Sequence, residues 1–72
     1  MWTKIGSGDY SFTENSYKLR VERVQGNLWW WAIYKDDSLV VSTTDLGHYE
    51  DSRKEAFAAV LAVYRYLLFN KI

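Results

Sequence analysis

Leu28-Trp29-Trp30-Trp31-Ala32-Ile33-Tyr34 is the stretch of this 72-residue chain that decides its fold. Successive side chains of a β-strand point to opposite faces of the sheet, so three consecutive tryptophans cannot all enter one core. A single covering helix would shield only one of these faces. The stretch therefore predicts a strand with indole rings on both faces, one set in a core and the other directed to water or to a partner.

The segment before this stretch predicts a strand that pairs with it. Residues 17–24 alternate between apolar and charged side chains, with Tyr17, Leu19 and Val21 on one face and Lys18, Arg20 and Glu22 on the other. Gln25-Gly26-Asn27 follows, and glycine and asparagine tolerate the positive φ that tight hairpins require. We expect the two strands to form an antiparallel hairpin.

The loop length of this hairpin decides which indoles are buried, because a shift of one residue exchanges the two faces. A two-residue loop, Gly26-Asn27, places on the face of Leu19 and Val21 the side chains of Trp30, Ala32 and Tyr34. A three-residue loop, 25–27, places there Trp29, Trp31 and Ile33. We favour the three-residue loop because it joins the most apolar sets.

The remaining segments complete an α+β fold. Residues 39–43 are rich in β-branched side chains and predict a third strand, and residues 44–51 predict a crossover loop. Tyr10 and Phe12 alternate with polar residues and indicate a short additional N-terminal strand. We expect Trp2 to cover one end of the core. The predicted fold is a single domain over residues 1–72, a three-stranded antiparallel meander with this short fourth strand as an alternative, packed against one C-terminal helix.

The C-terminal helix is predicted to begin at about Arg53 and to end at about Phe69. Ser52 and Glu55 match a capping box, in which the Ser hydroxyl accepts a hydrogen bond from the backbone N–H three residues later. Apolar residues recur at three- and four-residue spacing and form a stripe that can cover the sheet. The opposite side also carries little charge, and either the Trp2 segment or a second copy of the chain would cover it. The candidate self-association surface consists of Ala58, Ala62, Arg65 and Phe69.

Composition excludes several classes of function. Nine basic and nine acidic residues give a net charge of zero, which disfavours non-specific binding to nucleic acid or to an anionic membrane. The longest apolar run, 56–68, is interrupted by Arg65 and is shorter than the roughly 20 residues that span a bilayer. The chain has no cysteine, and its N-terminal residues lack the apolar core of a secretory signal. We expect a cytoplasmic protein without membrane contact and without a cofactor.

No set of residues matches a known catalytic arrangement. His48 is the only histidine, and without cysteine or a second histidine it cannot assemble the usual zinc ligands. Asp45, Glu50 and Asp51 match neither a calcium loop nor a paired acid and base. The serines lack a Gly-x-Ser-x-Gly motif, and the chain has no phosphate-binding loop motif. We therefore predict that the protein is not an enzyme and has no catalytic or metal site.

The aromatic strand predicts a binding surface instead. Tryptophan, tyrosine and arginine are the side chains that most often anchor protein interfaces. The candidate partner-binding residues are Trp30, Tyr34, Lys18, Arg20 and Arg23. The leading hypothesis is a non-enzymatic protein that binds a protein partner, or itself, through the aromatic sheet face or the helix. The alternative is a sheet that binds nucleic acid, with cations from Lys18, Arg20 and Lys35 and with bases stacked on the rings.

Two resemblances accompany this hypothesis. The aromatic meander followed by Leu46-Gly47-His48-Tyr49 and by an alanine-rich helix from Glu55-Ala56 resembles the DNA-binding domains of plant ethylene-response factors and the arm-binding domains of phage integrases. That resemblance implies a sheet that enters the major groove of DNA. The opening Trp2-x-x-Ile5-x-x-Gly8-x-Tyr10, followed by a Tyr strand and a Trp-Trp strand, resembles short bacteriophage and prophage proteins, which implies a phage origin.

Overall fold

The computed structural model describes residues 2–43 and 49–69 of the chain. Its elements are β1 (Thr3–Gly6), β2 (Asp9–Glu14), β3 (Tyr17–Gln25), β4 (Leu28–Lys35), β5 (Ser38–Ser42) and α1 (Arg53–Phe69). Each strand pairs antiparallel with its neighbours along the chain, so the sheet order is β1-β2-β3-β4-β5. The α+β class, the antiparallel meander and the single C-terminal helix are confirmed.

The predicted number of strands is wrong, because the sheet has five. The short N-terminal strand suggested at residues 10–13 is β2, which is six residues long and pairs along its whole length with β3. The fifth strand is β1, for which the sequence analysis gave no strand. All four residues of β1 are exposed, so the strand has no buried face to produce an alternating apolar pattern.

The hairpin between β3 and β4 has the predicted faces but not the predicted loop. Its turn is two residues long, Gly26-Asn27, and Gln25 pairs with Leu28. A bulge between Arg23 and Gln25 then shifts the pairing by one residue, which a bulge does by leaving one residue unpaired. Beyond the bulge Trp31 pairs with Val21 and Ile33 pairs with Leu19, as the favoured register predicts.

Two other hairpin turns are built without glycine. Asn15 and Ser16 have φ of 54° and 70°, and Asp36 and Asp37 have φ of 50° and 68°. Positive φ at both central residues is the type I′ geometry that matches the twist of paired strands. The backbone N–H of Asp36 donates to the carbonyl of Ser16 at 3.2 Å, so the two turns are joined at one end of the sheet.

The helix packs on one face of the sheet, and the core lies between them. From α1 the buried side chains are Ala56, Val60 and Tyr64. We call the sheet face beneath them the helix-covered face; it carries Tyr10, Phe12, Tyr17, Leu19, Val21, Trp29, Trp31 and Ile33. We call the other side the open face; it carries Asp9, Ser11, Thr13, Lys18, Arg20, Glu22, Trp30, Ala32 and Tyr34.

Polar contacts hold both ends of α1. At its start the N–H of Glu55 donates to the Ser52 hydroxyl at 3.1 Å, which confirms the predicted cap. The Glu55 carboxylate lies 3.3 Å from the same hydroxyl, so it reaches back to the side chain of Ser52. Toward the other end the Tyr64 hydroxyl donates to the Glu14 carboxylate at 3.0 Å and accepts from the Asn15 amide at 3.3 Å. These contacts fix the helix against the β2–β3 turn.

The segments before β1 and before α1 also contact the core. The Trp2 ring packs against Phe57 of α1 and Phe12 of β2, with ring centroids 4.6 and 5.5 Å away, so it covers one end of the core as predicted. Glu50 forms an antiparallel bridge with Trp29. Residues 44–48, and with them most of the predicted crossover loop, lie outside the described residues. In the part of the chain that the structure describes, no helix has the length and apolar character to cross a membrane.

Candidate binding surfaces

The open face presents two aromatic rings from β4, separated by one small residue. Trp30 and Tyr34 are half-buried, and Ala32 between them is fully buried. Across the β3–β4 ladder, Trp30 pairs with Glu22 and Tyr34 pairs with Lys18. Alternation along β4 therefore places these two rings beside charged side chains, and no part of α1 lies over them.

Arg20 lies at the centre of the open face and is held by two carboxylates. Its Nη2 is 2.9 Å from both oxygens of Asp9 and 3.1 Å from Glu22. The hydrogen bond to Asp9, reinforced by the negative charges of Asp9 and Glu22, raises the pKa of the Arg20 guanidinium. Arg20 is therefore permanently charged and locally neutralised, which makes it a fixed polar element between the rings.

A pocket of about 260 Å³ opens on this face at the end near the β4–β5 turn. It is lined by Lys18, Arg20, Tyr34 and Asp37. The turn residue Asp37 was not among the predicted site residues; it enters the pocket because the type I′ turn directs β5 back along β4. The lining has cations, a carboxylate and one ring, a mixture suited to polar groups of a partner surface.

Of the five predicted partner-binding residues, the structure brings four together. Lys18, Arg20, Trp30 and Tyr34 share the open face. Arg23 does not join them, since it pairs with Trp29 on the opposite side of the sheet. The predicted nucleic-acid cations are also divided, because the Lys35 ammonium lies 5.1 Å from the centre of the Tyr17 ring, on the helix-covered side.

The predicted self-association surface is an exposed strip along α1. Ala58, Ala62 and Arg65 are exposed, and Phe69 is 84% exposed. The Trp2 segment, one of the two covers suggested by the sequence, contacts Phe57 and leaves this strip uncovered.

A second pocket was missed by the sequence analysis. It has a volume of about 230 Å³ and opens beside the β1–β2 turn on the helix-covered side of the sheet. Its lining comes from Lys4, Ser7, Gly8, Tyr10, Arg23, Trp29 and Arg53. The three cations are far apart in the sequence, and one of them lies on β1, the strand that the sequence pattern did not indicate. Only the folded topology brings them together.

The residues considered for catalysis lie only partly within the described part of the chain. His48 and Asp45 lie outside the described residues, so their positions are not described. The Glu50 carboxylate accepts a hydrogen bond from the Trp31 indole at 3.3 Å, which gives it a structural partner. Among the residues that the structure describes, no group of three His, Cys, Asp or Glu side chains is placed to hold a metal ion.

Comparisons with known proteins identify no relative for this chain: no family model, no curated protein and no solved structure matches it.

Proposed function

We propose that this protein is a non-enzymatic interaction protein that binds a protein partner through the open face of its sheet. The observation that carries the proposal is the position of Trp30 and Tyr34 on the side of the sheet away from α1. The sequence resemblance to short bacteriophage proteins supports a phage origin as part of the same proposal.

The chemistry of the open face supports this function. Burying a tryptophan and a tyrosine at an interface supplies a large apolar area, and such rings are frequent binding anchors. Arg20, fixed by Asp9 and Glu22, gives the surface a rigid polar centre whose side-chain order is already established before binding. A preordered surface loses less conformational entropy when a partner binds.

The experiment is affinity capture with two matched double variants. Trp30→Ala with Tyr34→Ala removes both rings of the open face, and Ala62→Glu with Phe69→Ala alters the exposed strip of α1. Wild type and both variants, each first shown to unfold cooperatively, are immobilised and exposed to extract of the cells that make the protein, and the bound proteins are quantified by mass spectrometry.

We expect one partner to be captured by wild type and by the α1 variant. The amount of this partner captured by the open-face variant should be lower by about tenfold or more. Retention of every partner by the open-face variant would refute the open face as the binding surface. If the partner is lost only from the α1 variant, the binding surface is the exposed strip of α1 and not the open face.

Self-association through α1 is a second candidate, favoured by the exposure of Phe69 and by the two alanines that precede it on the same strip. Small residues allow two helices to approach closely, and a ring at the end of the strip adds apolar area. Sedimentation velocity tests it: a dimer that dissociates in the Ala62→Glu variant supports this candidate, and a monomer at high concentration refutes it.

Nucleic-acid binding by the sheet remains the alternative, favoured by the resemblance to three-stranded DNA-binding domains. Two charge arrangements weigh against it: Arg20 is neutralised by Asp9 and Glu22, and Lys35 lies on the other side of the sheet from Lys18. Fluorescence anisotropy of a labelled duplex at about 50 mM salt is the test, because phosphate-driven binding is strongest at low ionic strength. Absence of binding there removes this alternative.

A further inference from the structure

The charged side chains that line the pocket beside the β1–β2 turn are all positive. Lys4, Arg23 and Arg53 line it, and none of its lining residues among the described part of the chain is acidic. The ion pairs found among the described residues all belong to Arg20, on the other face of the sheet. Three positive side chains thus line one small pocket, and none of its described lining residues is a carboxylate, although the chain as a whole is neutral.

The backbone around the pocket is fixed. The N–H of Arg23 donates to the carbonyl of Gly8 at 2.8 Å, which ties the β1–β2 turn to β3. A Cβ added at Gly8 would lie 3.0 Å from the Cβ of Arg23, so the turn lies directly against the stem of this arginine. Gly8 has φ of +71°, a conformation that glycine adopts without strain. The turn and the cation are therefore positioned by the fold.

Arg53 is positioned by the helix and by an aromatic ring. It is the first residue of α1, and its Nη1 donates to the Tyr10 hydroxyl at 3.0 Å. A guanidinium carries five N–H donors, so this bond leaves most of them for a ligand. The start of a helix also carries a partial positive charge, which adds to the field in the pocket.

We propose that this pocket binds a phosphate group. Arginine and lysine are the side chains that proteins use to hold phosphate, arginine by paired N–H donors and lysine as a point charge. An anion in the pocket offsets the mutual repulsion of Lys4, Arg23 and Arg53. The volume of about 230 Å³ is below the roughly 300–1,000 Å³ of pockets for drug-sized ligands, which matches a small anionic group.

Two kinds of ligand carry such a phosphate group. One is a small phosphate ester, and the other is the backbone of a nucleic acid. Trp29 and Tyr10 also line the pocket and offer aromatic surface to whatever the phosphate carries. The site lies on the helix-covered side of the sheet, so it is independent of partner binding at the open face.

The test is a titration of the full chain with inorganic phosphate, followed by ¹H–¹⁵N NMR at constant ionic strength with chloride as the balancing anion. Saturable shifts are expected at the amides of Ser7 and Gly8 and at the indole of Trp29. Arg23→Gln and, separately, Lys4→Gln are expected to weaken the affinity by about tenfold each, because each removes a charge-assisted contact.

The matched control is Lys54→Gln, which removes the same charge from an exposed residue that does not line the pocket. It should change the affinity by less than about twofold, since exposed charges outside the site are screened by salt. Linear shifts without saturation, equal affinities in wild type and both pocket variants, or an equal loss in Lys54→Gln would each overturn the proposal. Lys4 is exposed on an edge strand, so its variant keeps the test valid if Arg23→Gln does not fold.

Two further titrations identify the source of the phosphate. Adenosine monophosphate represents a small ester, and a single-stranded oligothymidylate represents a nucleic-acid backbone. Tighter binding of the mononucleotide at the same residues supports a small phosphate ester, and tighter, strongly salt-dependent binding of the oligonucleotide supports a nucleic acid. If neither ligand shifts the pocket residues, the proposal of a phosphate site is wrong.

Discussion

The two faces of the sheet place neighbouring tryptophans of β4 in different surroundings, Trp31 in the core beneath α1 and Trp30 beside charged side chains. Trp31 lies on the helix-covered face and is 1% exposed, with its indole bonded to Glu50. Trp30, the preceding residue, lies on the open face and is half-buried beside Glu22. The two residues have the same side chain and differ only in the face that alternation assigns to them.

The faces also differ in their polar chemistry. On the helix-covered face polar groups lie at the margins of the apolar core, such as the Tyr64 hydroxyl at the β2–β3 turn. On the open face a charged group, Arg20, occupies the centre and is balanced by Asp9 and Glu22. A charged centre that is partly exposed adds little to stability.

The largest expected effect is on the free energy of unfolding, when each of two neighbouring tryptophans is replaced by alanine in turn. Trp31→Ala removes the largest fully buried side chain and should lower the free energy of unfolding by about 3–5 kcal/mol. Trp30→Ala should lower it by about 1 kcal/mol, as expected for a partly exposed site. Urea denaturation of both variants is the measurement, and loss of the cooperative transition in Trp31→Ala agrees with the prediction. Equal losses would contradict the assignment of the two faces.

The next largest change in stability is expected at the β1–β2 turn, at the edge of the helix-covered face. Gly8→Ala places a β-carbon in a positive-φ conformation and 3.0 Å from the Cβ of Arg23, so it should cost about 2–3 kcal/mol. Gly26→Ala is the matched control, because Gly26 also has positive φ but has nothing within 4 Å of the added carbon. Thermal denaturation should show Gly26→Ala about 1 kcal/mol less destabilised than Gly8→Ala. Identical melting temperatures would mean that the turn does not press against Arg23.

A smaller effect concerns the hydroxyl that joins the helix to the β2–β3 turn. Tyr64→Phe loses the hydrogen bonds to Glu14 and Asn15 and should cost about 1 kcal/mol. Burial of the ring raises the pKa of Tyr64. The unfolded chain therefore loses this proton at a lower pH than the folded protein, so the contribution is present at neutral pH and is lost as the pH rises through the tyrosine range.

The pH dependence of the free energy of unfolding separates the contribution of Tyr64 from the contributions of the other tyrosines. Urea denaturation of wild type and Tyr64→Phe between about pH 8 and 11 should show a steeper loss of stability in wild type. Parallel curves would show that Tyr64 titrates alike in the folded and unfolded protein.

The smallest effect is expected at the centre of the open face. Arg20→Met removes both ion pairs but keeps much of the aliphatic stem, and the side chains of Arg20 and Asp9 are each 27% exposed. Partly exposed ion pairs contribute little, and Arg20 Nε is buried without a hydrogen-bond partner among the described residues. The change in the free energy of unfolding should stay below about 1 kcal/mol. A loss comparable to that of Trp31→Ala would show that the open face is a second core.

Much of the fold was predictable because its signals are local. Ser52 and Glu55 are three residues apart, so the start of α1 was visible as a capping box. The burial of Trp31 followed from joining the most apolar sets of β3 and β4. The bulge that produces this register was not predictable, since the choice between a longer loop and a bulged strand depends on the local ladder.

The candidate sites were less predictable because they depend on contacts between distant segments. Alternation on β3 and β4 was enough to group Lys18 and Arg20 with Trp30 and Tyr34. It could not show that Asp9 would also bind Arg20, since Asp9 comes from a strand with a weak pattern. Arg23 lies on the other side of the sheet, paired with Trp29, which agrees with its place two residues beyond Val21 in the alternation of β3. Exposed edge strands have no apolar periodicity, so the residues they add to a site are found only in the structure.

α1 shields the indole of Trp31, whereas Trp30 and Tyr34 are half-buried on the other face of the sheet. Hydroxyl-radical footprinting of the protein alone, with tandem mass spectrometry to separate the adjacent tryptophans, measures this directly. Trp30 and Tyr34 should be oxidised several-fold faster than Trp31, with rates that converge only when the chain is unfolded in urea. Equal protection of Trp30 and Trp31 in the folded protein would contradict this prediction.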